Sequence, residues 1–116
     1  MMKDFSLIVE VFGADEVCRV ISALSIGLLT SVRSGLMSLE EAEQILFTPR
    51  TEKVLRDKGV SSVICDLVLE CCELEDVLSL LPHRYEKNID MLVERFSGVL
   101  SSICAPDMQW KLARLR

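Results

Sequence analysis

The sequence has 116 residues, of which 50% are hydrophobic and 27% are charged, with only five glycines and three prolines. This length corresponds to one domain, and this composition excludes an intrinsically disordered or linker-rich chain. The 18 acidic side chains outnumber the 13 basic ones, and the net charge of −5 has the wrong sign for a surface that neutralises nucleic-acid phosphates. We therefore expect a single globular domain, residues 1–116, that does not bind nucleic acid.

The chain shows no pattern typical of an export signal or a membrane span. Asp4 and Glu10 interrupt the apolar run near the N-terminus. The longest uncharged apolar stretch, residues 20–32, contains several hydroxyl side chains and is well short of the ~20 residues that a spanning helix needs. We expect a cytoplasmic protein without membrane contact.

Residues 5–12 (FSLIVEVF) have the strongest β-strand pattern in the sequence. Phe5 and Leu7 begin an alternation of apolar residues on one side of the segment, and β-branched and aromatic types are frequent in it. A lone strand exposes unpaired backbone groups, so it must find a partner. That partner is residues 107–116, a second copy of the chain, or another protein.

Three helices are predicted in the first half of the chain. Apolar residues at three- and four-residue intervals predict the first helix between Asp15, placed to cap its start, and Gly35, suited to end it. Ser38 and Glu41 form a capping box that opens a short second helix. Thr48, followed by a proline, opens the third.

The second half of the chain predicts further helices. Residues 63–81 carry apolar side chains at helical intervals, with a possible break near Glu73. A long amphipathic helix follows Pro82 and is expected to end before Pro106. The apolar spacing in residues 107–116 fits both a helix and a strand. The predicted fold is therefore a predominantly helical α+β domain, with one N-terminal strand followed by about five helices.

The cysteines and the single histidine do not form a recognisable site. Cys71 and Cys72 are adjacent, and the five cysteines are odd in number and include no C-x-x-C pair. Zinc would need clustered Cys and His ligands, so we predict free, buried thiols and no metal or cofactor. The acidic sequence neighbours of Cys71 and Cys72 oppose thiolate formation, and His83 stands alone at a helix start, so no catalytic residue is predicted.

The negative charge is concentrated in residues 59–82, which hold five acids and no lysine or arginine. The five acids are Asp66, Glu70, Glu73, Glu75 and Asp76. On a helix the first three form a stripe beside an apolar seam. Such a stripe is a solvated face, a contact for a basic partner, or a divalent-ion site. Carboxylates beside an apolar edge supply electrostatic steering and a desolvated contact for a basic partner, whereas the ion site is disfavoured because no Asp-rich loop of EF-hand type is present.

The last ten residues, 107–116, form a basic tail. One acid, Asp107, stands against Lys111, Arg114 and Arg116, which gives a net charge of +2. Trp110 also lies there, and tryptophan is favoured at interface hot spots. Trp110 is therefore a candidate partner-binding residue, with packing onto its own domain as the alternative.

Three segments, FSLIVEVFG, SLEEAEQILFTP and ELEDVLSLLP, together resemble a family of short and largely uncharacterised bacterial proteins over most of residues 5–82. That resemblance implies no activity. In size and charge the chain also resembles the immunity proteins that neutralise polymorphic or contact-dependent bacterial toxins, many of which are basic nucleases. This second resemblance implies a basic protein partner and transfers no binding residues.

We therefore expect a non-enzymatic protein that binds a partner with a basic surface, and in the most specific form an immunity protein that neutralises a basic, nuclease-like toxin by direct binding. The alternative is a structural or regulatory homodimer in which the strand at residues 5–12 pairs across a two-fold axis. A second alternative is a small enzyme that uses Cys71, Cys72 or His83 beside the carboxylates.

Overall fold

The computed structural model describes the backbone of residues 13–115 and the side chains of residue 13 and residues 15–101. Within that range the chain folds into helices. These are α1 (Ala14–Arg33), α2 (Leu39–Ile45), α3 (Pro49–Asp57), α4 (Ser62–Cys72), α5 (Leu74–Leu80), a 3₁₀ helix (Pro82–Arg84) and α6 (Tyr85–Leu115). The predicted break near Glu73 is confirmed, because Glu73 separates α4 from α5.

The helix starts follow the capping signals, with one exception. Ser38 Oγ accepts a hydrogen bond from the Glu41 N–H at 3.1 Å, and Glu41 Oε1 accepts one from the Ser38 N–H at 3.0 Å, so the capping box is confirmed. The Thr48 side chain accepts from the backbone N–H of α3's first turn. The expected cap at Asp15 is wrong, because Gly13 occupies the N-cap position and Asp15 lies in the first turn.

The predicted α+β class is wrong. Residues 13–115 form a helical bundle and contain no strand. The predicted strand at residues 5–12 lies outside the described residues. Within the same chain, the expected partner of that strand was the segment 107–116. This segment instead continues α6 as far as Leu115.

The predicted end of the last helix before Pro106 is also wrong, because α6 runs through this proline. An internal proline removes one backbone hydrogen bond and costs about 3 kcal/mol, but it does not force a helix to stop. Apolar residues at positions 108, 112 and 115 continue the helical spacing beyond it, which is the pattern that the structure follows.

The core lies between α1, α4 and α6. Helix α1 packs along α6 in the antiparallel direction, and α4 packs against both α3 and α6. Arg33 at the end of α1 pairs with Glu86 and Asp90 near the start of α6, each at 3.1 Å. The largest side chains that are fully buried include Ile21, Leu29, Phe47, Leu55, Ile64, Val68, Ile89 and Phe96. Each such apolar side chain contributes about 1.5–3 kcal/mol through its removal from water.

None of the helices in residues 13–115 combines the length and the apolarity that crossing a bilayer requires.

Candidate functional site: the surface around α5

The short helix α5 lies between two surface depressions. On one side a narrow cleft of about 130 Å³ separates it from α6, and this α6 cleft is lined by Glu70, Glu73, Leu74, Val77, Asn88, Met91, Leu92 and Arg95. On the other side an open groove of about 510 Å³ separates it from α2, and this α2 groove is lined by Leu39, Glu40, Glu43, Glu75 and Leu78. We use "the α5 surface" for α5 together with these two depressions.

The α2 groove gathers three carboxylates. Burial of Glu43, followed by the charges of Glu75 and Glu40, raises the pKa of the Glu43 carboxyl above its ordinary value. Among the described residues, none of the three forms an ion pair. The groove is therefore a place where negative charge accumulates without a counter-ion from the described side chains.

The field of Glu43 reaches two further ionisable groups. Burial is the main reason that the pKa of the Tyr85 hydroxyl is raised, and the Glu43 charge adds to it. Burial also raises the pKa of the Cys72 thiol to about 11, with Glu43, Glu52 and Glu73 adding smaller amounts. Both groups therefore stay protonated at neutral pH, so the local charge remains that of the carboxylates.

Two acids of the predicted stripe are paired with arginines from neighbouring helices. Arg56 of α3 donates to Asp66 at 3.0 Å and also pairs with Glu52. Arg95 of α6 donates to Glu70 at 2.8 Å. The charges of Asp66 and Glu70 are therefore compensated within the described part of the chain.

The other predicted partner residues lie on or near α5. Glu73 lines the α6 cleft beside Glu70, whereas Glu75 faces the α2 groove. Asp76 is exposed in the first turn of α5, where a carboxylate also interacts favourably with the helix dipole. The backbone of Trp110 lies in α6, and its side chain lies outside the side chains that the structure describes.

The end of α5 leaves large apolar side chains uncovered. Leu78 and Leu81 are each 43% exposed, and Leu80 is 76% exposed. We call these three residues the apolar edge. Apolar groups grouped in this way beside carboxylates are typical of surfaces that contact another protein.

The described cysteines of the enzyme hypothesis lie in environments that raise the pKa of a thiol. Cys71 is fully buried, and this burial strongly raises the pKa of its thiol, while Cys65 is buried with its Sγ donating to the Val60 carbonyl at 3.6 Å. His83 is exposed in the 3₁₀ helix. A reactive cysteine needs a lowered thiol pKa, so this environment disfavours the chemistry of the enzyme hypothesis. In the part of the chain that the structure describes, no three His, Cys, Asp or Glu side chains are grouped so as to hold a metal ion.

Sequence reasoning missed the contribution of α2. Glu40 and Glu43 precede Glu75 by more than 30 residues, and only the packing of α2 near α5 brings the three together. The spacing of three residues between Glu40 and Glu43 did place both on one face of a helix. No local signal shows which other helix that face meets.

A protein-family model described as "Protein of unknown function (DUF3969)" matches residues 12–114. The chain belongs to the DUF3969 family. This confirms the resemblance to an uncharacterised family. No curated protein and no solved structure matches the chain. Membership in DUF3969 thus assigns neither an activity nor a partner.

Proposed function

We propose that this DUF3969 protein is a non-enzymatic binding protein whose α5 surface contacts a partner with a basic surface. The observation that carries the proposal is the α2 groove, where Glu40, Glu43 and Glu75 lie beside the apolar Leu39 and Leu78 and form no ion pair with any described residue. Such a groove supplies electrostatic attraction and apolar contact area in one place.

The raised pKa of Glu43 supports a cationic partner. Part of the energetic cost of removing this carboxylate from water is already present in the unbound protein. A lysine or arginine from a partner relieves the repulsion from Glu40 and Glu75, because opposite charges at close range favour the ionised carboxylates. Binding of a basic surface thus removes an unfavourable interaction, whereas an acidic surface adds to it.

In its most specific form the proposal is that the protein is an immunity protein for a basic, nuclease-like bacterial toxin. The acidity of the chain and the resemblance in size and charge to immunity proteins support this form. A surface that binds nucleic-acid phosphates is rich in lysine and arginine. Carboxylates placed against such a surface complement it, raise the association rate and block access of the nucleic acid.

The experiment compares three proteins in affinity purification from the native host. These are the wild type, a surface variant with Glu43→Lys and Glu75→Lys, and a control variant with Asp57→Lys and Glu94→Lys. The control changes the net charge equally, at exposed positions outside the α5 surface. We expect the wild type and the control to retain one basic protein, and the surface variant to lose it while keeping its helical circular dichroism. Equal retention by all three, or an acidic partner, would contradict the proposal.

The toxin form has its own test with the same partner. We expect expression of the partner alone to arrest growth, co-expression of the wild type to restore growth, and the surface variant to fail to do so. If expression of the partner alone did not arrest growth, the immunity hypothesis would be contradicted, and the proposed binding function would be unaffected.

A further inference from the structure

The apolar edge lacks a cover in the described part of the chain, although carboxylates border it. Leu78 belongs both to the edge and to the α2 groove, where it lies with Glu43 and Glu75. A cover that complements both the edge and the groove therefore brings apolar groups next to positive charge. The requirement on the cover is therefore more specific than for a purely hydrophobic contact. An acidic or neutral cover would leave the carboxylates of the groove without counter-ions.

The chain itself contains one segment with that chemistry. The basic tail, residues 107–116, combines a net charge of +2 with apolar residues at positions 108, 110, 112 and 115. It is helical as far as Leu115. Lys111 and Arg114 stand three residues apart in this helix, a spacing that puts two positions on the same face.

The tail is out of reach of the α5 surface of its own chain. Tyr85 at the start of α6 lies close enough to Glu43 for that charge to raise the pKa of the Tyr85 hydroxyl. Lys111 follows Tyr85 by 26 residues of the same helix, a separation of about 39 Å at a rise of 1.5 Å per residue. It follows Arg95, the last α6 residue that lines the α6 cleft, by 16 residues, or about 24 Å. The basic tail and the α2 groove are therefore at opposite ends of α6.

We propose that two copies of the chain associate side by side in antiparallel orientation, so that the basic tail of each copy docks on the α5 surface of the other. A two-fold axis satisfies both tails and both surfaces at once and closes the assembly as a dimer. Because Lys111 and the end of α6 nearest the α2 groove are about 39 Å apart on each copy, the two contacts occupy separate places and can form simultaneously. The arrangement differs from a dimer through the strand at residues 5–12, because that dimer needs neither the tail nor the carboxylates.

The dimer covers the same surface that the proposed function assigns to another protein. A second copy and a basic partner therefore compete for the α5 surface. Because the partner binds the monomer, its binding shifts the equilibrium away from the dimer. The two proposals stand separately. A monomeric protein that still captures a basic partner through Glu43 and Glu75 refutes the dimer only, and a dimer without any basic partner refutes the proposed function only.

Sedimentation equilibrium of full-length variants tests the dimer by charge exchange. The tail variant carries Lys111→Glu and Arg114→Glu, and the surface variant carries Glu43→Lys and Glu75→Lys. Each variant alone places like charges on both contacts, so we expect its dimerisation Kd to rise at least tenfold. An equimolar mixture of the two restores opposite charges at both contacts, and we expect it to dimerise as tightly as the wild type.

The control variant with Asp57→Lys and Glu94→Lys should dimerise normally, and added salt should weaken the wild-type dimer. Three outcomes overturn the inference. They are a wild type that stays monomeric at millimolar concentration, a dimer that neither charge reversal weakens, and a mixture that associates no better than its components.

Discussion

Arg95 Nη1 donates a hydrogen bond of 2.8 Å to Glu70 Oε1 and so joins α6 to α4 beside the α6 cleft. Arg56 holds Asp66 in the same way at 3.0 Å. Among the described residues, these two pairs leave Glu73, Glu75 and Asp76 as the acids of residues 59–82 without an ion pair. Glu75 is the one of them that shares the α2 groove with Glu40 and Glu43. Charge alone, counted along the sequence, gave all of these acids equal weight.

The first prediction concerns which acid matters for binding. Glu75→Lys should weaken the affinity for the basic partner more than Asp66→Lys does, because Glu75 lies in the α2 groove without an ion pair whereas Asp66 already bonds to Arg56. We expect a loss of about 1–2 kcal/mol for Glu75→Lys at low salt, in the range of close charge pairs at interfaces. Titration calorimetry at two salt concentrations measures it, and a larger effect from Asp66→Lys would contradict this division of the surface.

The second prediction concerns the pH dependence of stability. Because the pKa of Glu43 is raised in the folded protein, folding disfavours its charged form. The penalty is absent well below the ordinary carboxyl pKa, where Glu43 is protonated in both states, and it is complete above the raised pKa. The contribution of this site to stability therefore falls as the pH rises through that window.

Glu43→Gln removes this penalty. We expect the variant to be more stable than the wild type at pH 7 by roughly a few tenths of a kcal/mol, the size of an exposed like-charge interaction, and to show no gain at low pH. Urea unfolding at both pH values measures the difference. Glu94→Gln controls for the loss of one negative charge, and an equal gain from that variant would assign the effect to net charge instead.

The third prediction concerns thiol reactivity. Burial raises the pKa of Cys72 from the ordinary 9.0 to about 11, so its thiolate fraction at neutral pH is about a hundredfold below that of a free cysteine. We expect iodoacetamide to modify Cys72 slowly, and Cys65 and Cys71 only after unfolding, as read by mass spectrometry of peptides. Rapid modification of Cys71 in the folded protein would contradict its burial and revive the enzyme hypothesis.

The fourth prediction concerns the capping box that fixes α2. Ser38→Ala removes the acceptor for the Glu41 N–H and should lower the free energy of unfolding by about 1 kcal/mol. Because α2 carries Glu40 and Glu43, the same variant should weaken partner binding. Ser38→Asp supplies a new cap acceptor and should restore most of the stability. If Ser38→Ala and Ser38→Asp were equally unstable, the cap would not be the cause.

The fifth prediction concerns two buried hydroxyls on α1. Ser22 and Ser25 are fully buried, and neither Oγ has a hydrogen-bond partner among the described residues. Ser25→Ala removes a desolvated polar atom and should raise the free energy of unfolding by about 1 kcal/mol. The exposed Ser97 donates to the Val93 carbonyl at 2.7 Å, so Ser97→Ala is the matched control and should change stability little. A loss of stability in Ser25→Ala would reveal a hydrogen bond at that position.

The sequence predicted the helices well where the signals are local. The capping box at Ser38 and the break at Glu73 depend on residues a few positions apart, and both are confirmed. The continuation of α6 through Pro106 was not predicted, because a proline disfavours a helix interior locally, and the apolar spacing beyond Pro106 fitted a strand as well as a helix. The predicted α+β class was wrong in part for the same reason, since the segment 107–115, whose pattern also fitted a strand, is helical.

The candidate site was predictable only in part. Glu73, Glu75 and Asp76 were named from charge density, but the α2 groove also needs Glu40 and Glu43, which α2 places next to Glu75 through tertiary packing. The ion pairs that compensate Asp66 and Glu70 likewise join separate helices. Such contacts depend on which helix faces meet, and the periodicity of a single helix does not contain that information.

Hydrogen–deuterium exchange of the protein, alone and with its captured basic partner, tests the binding role of the α5 surface most directly. We expect the partner to slow exchange in α2 and α5, helices Leu39–Ile45 and Leu74–Leu80, and to leave α3, helix Pro49–Asp57, unchanged. Protection confined to α3 or α1, with α5 exchanging at its free rate in a saturated complex, would contradict the account.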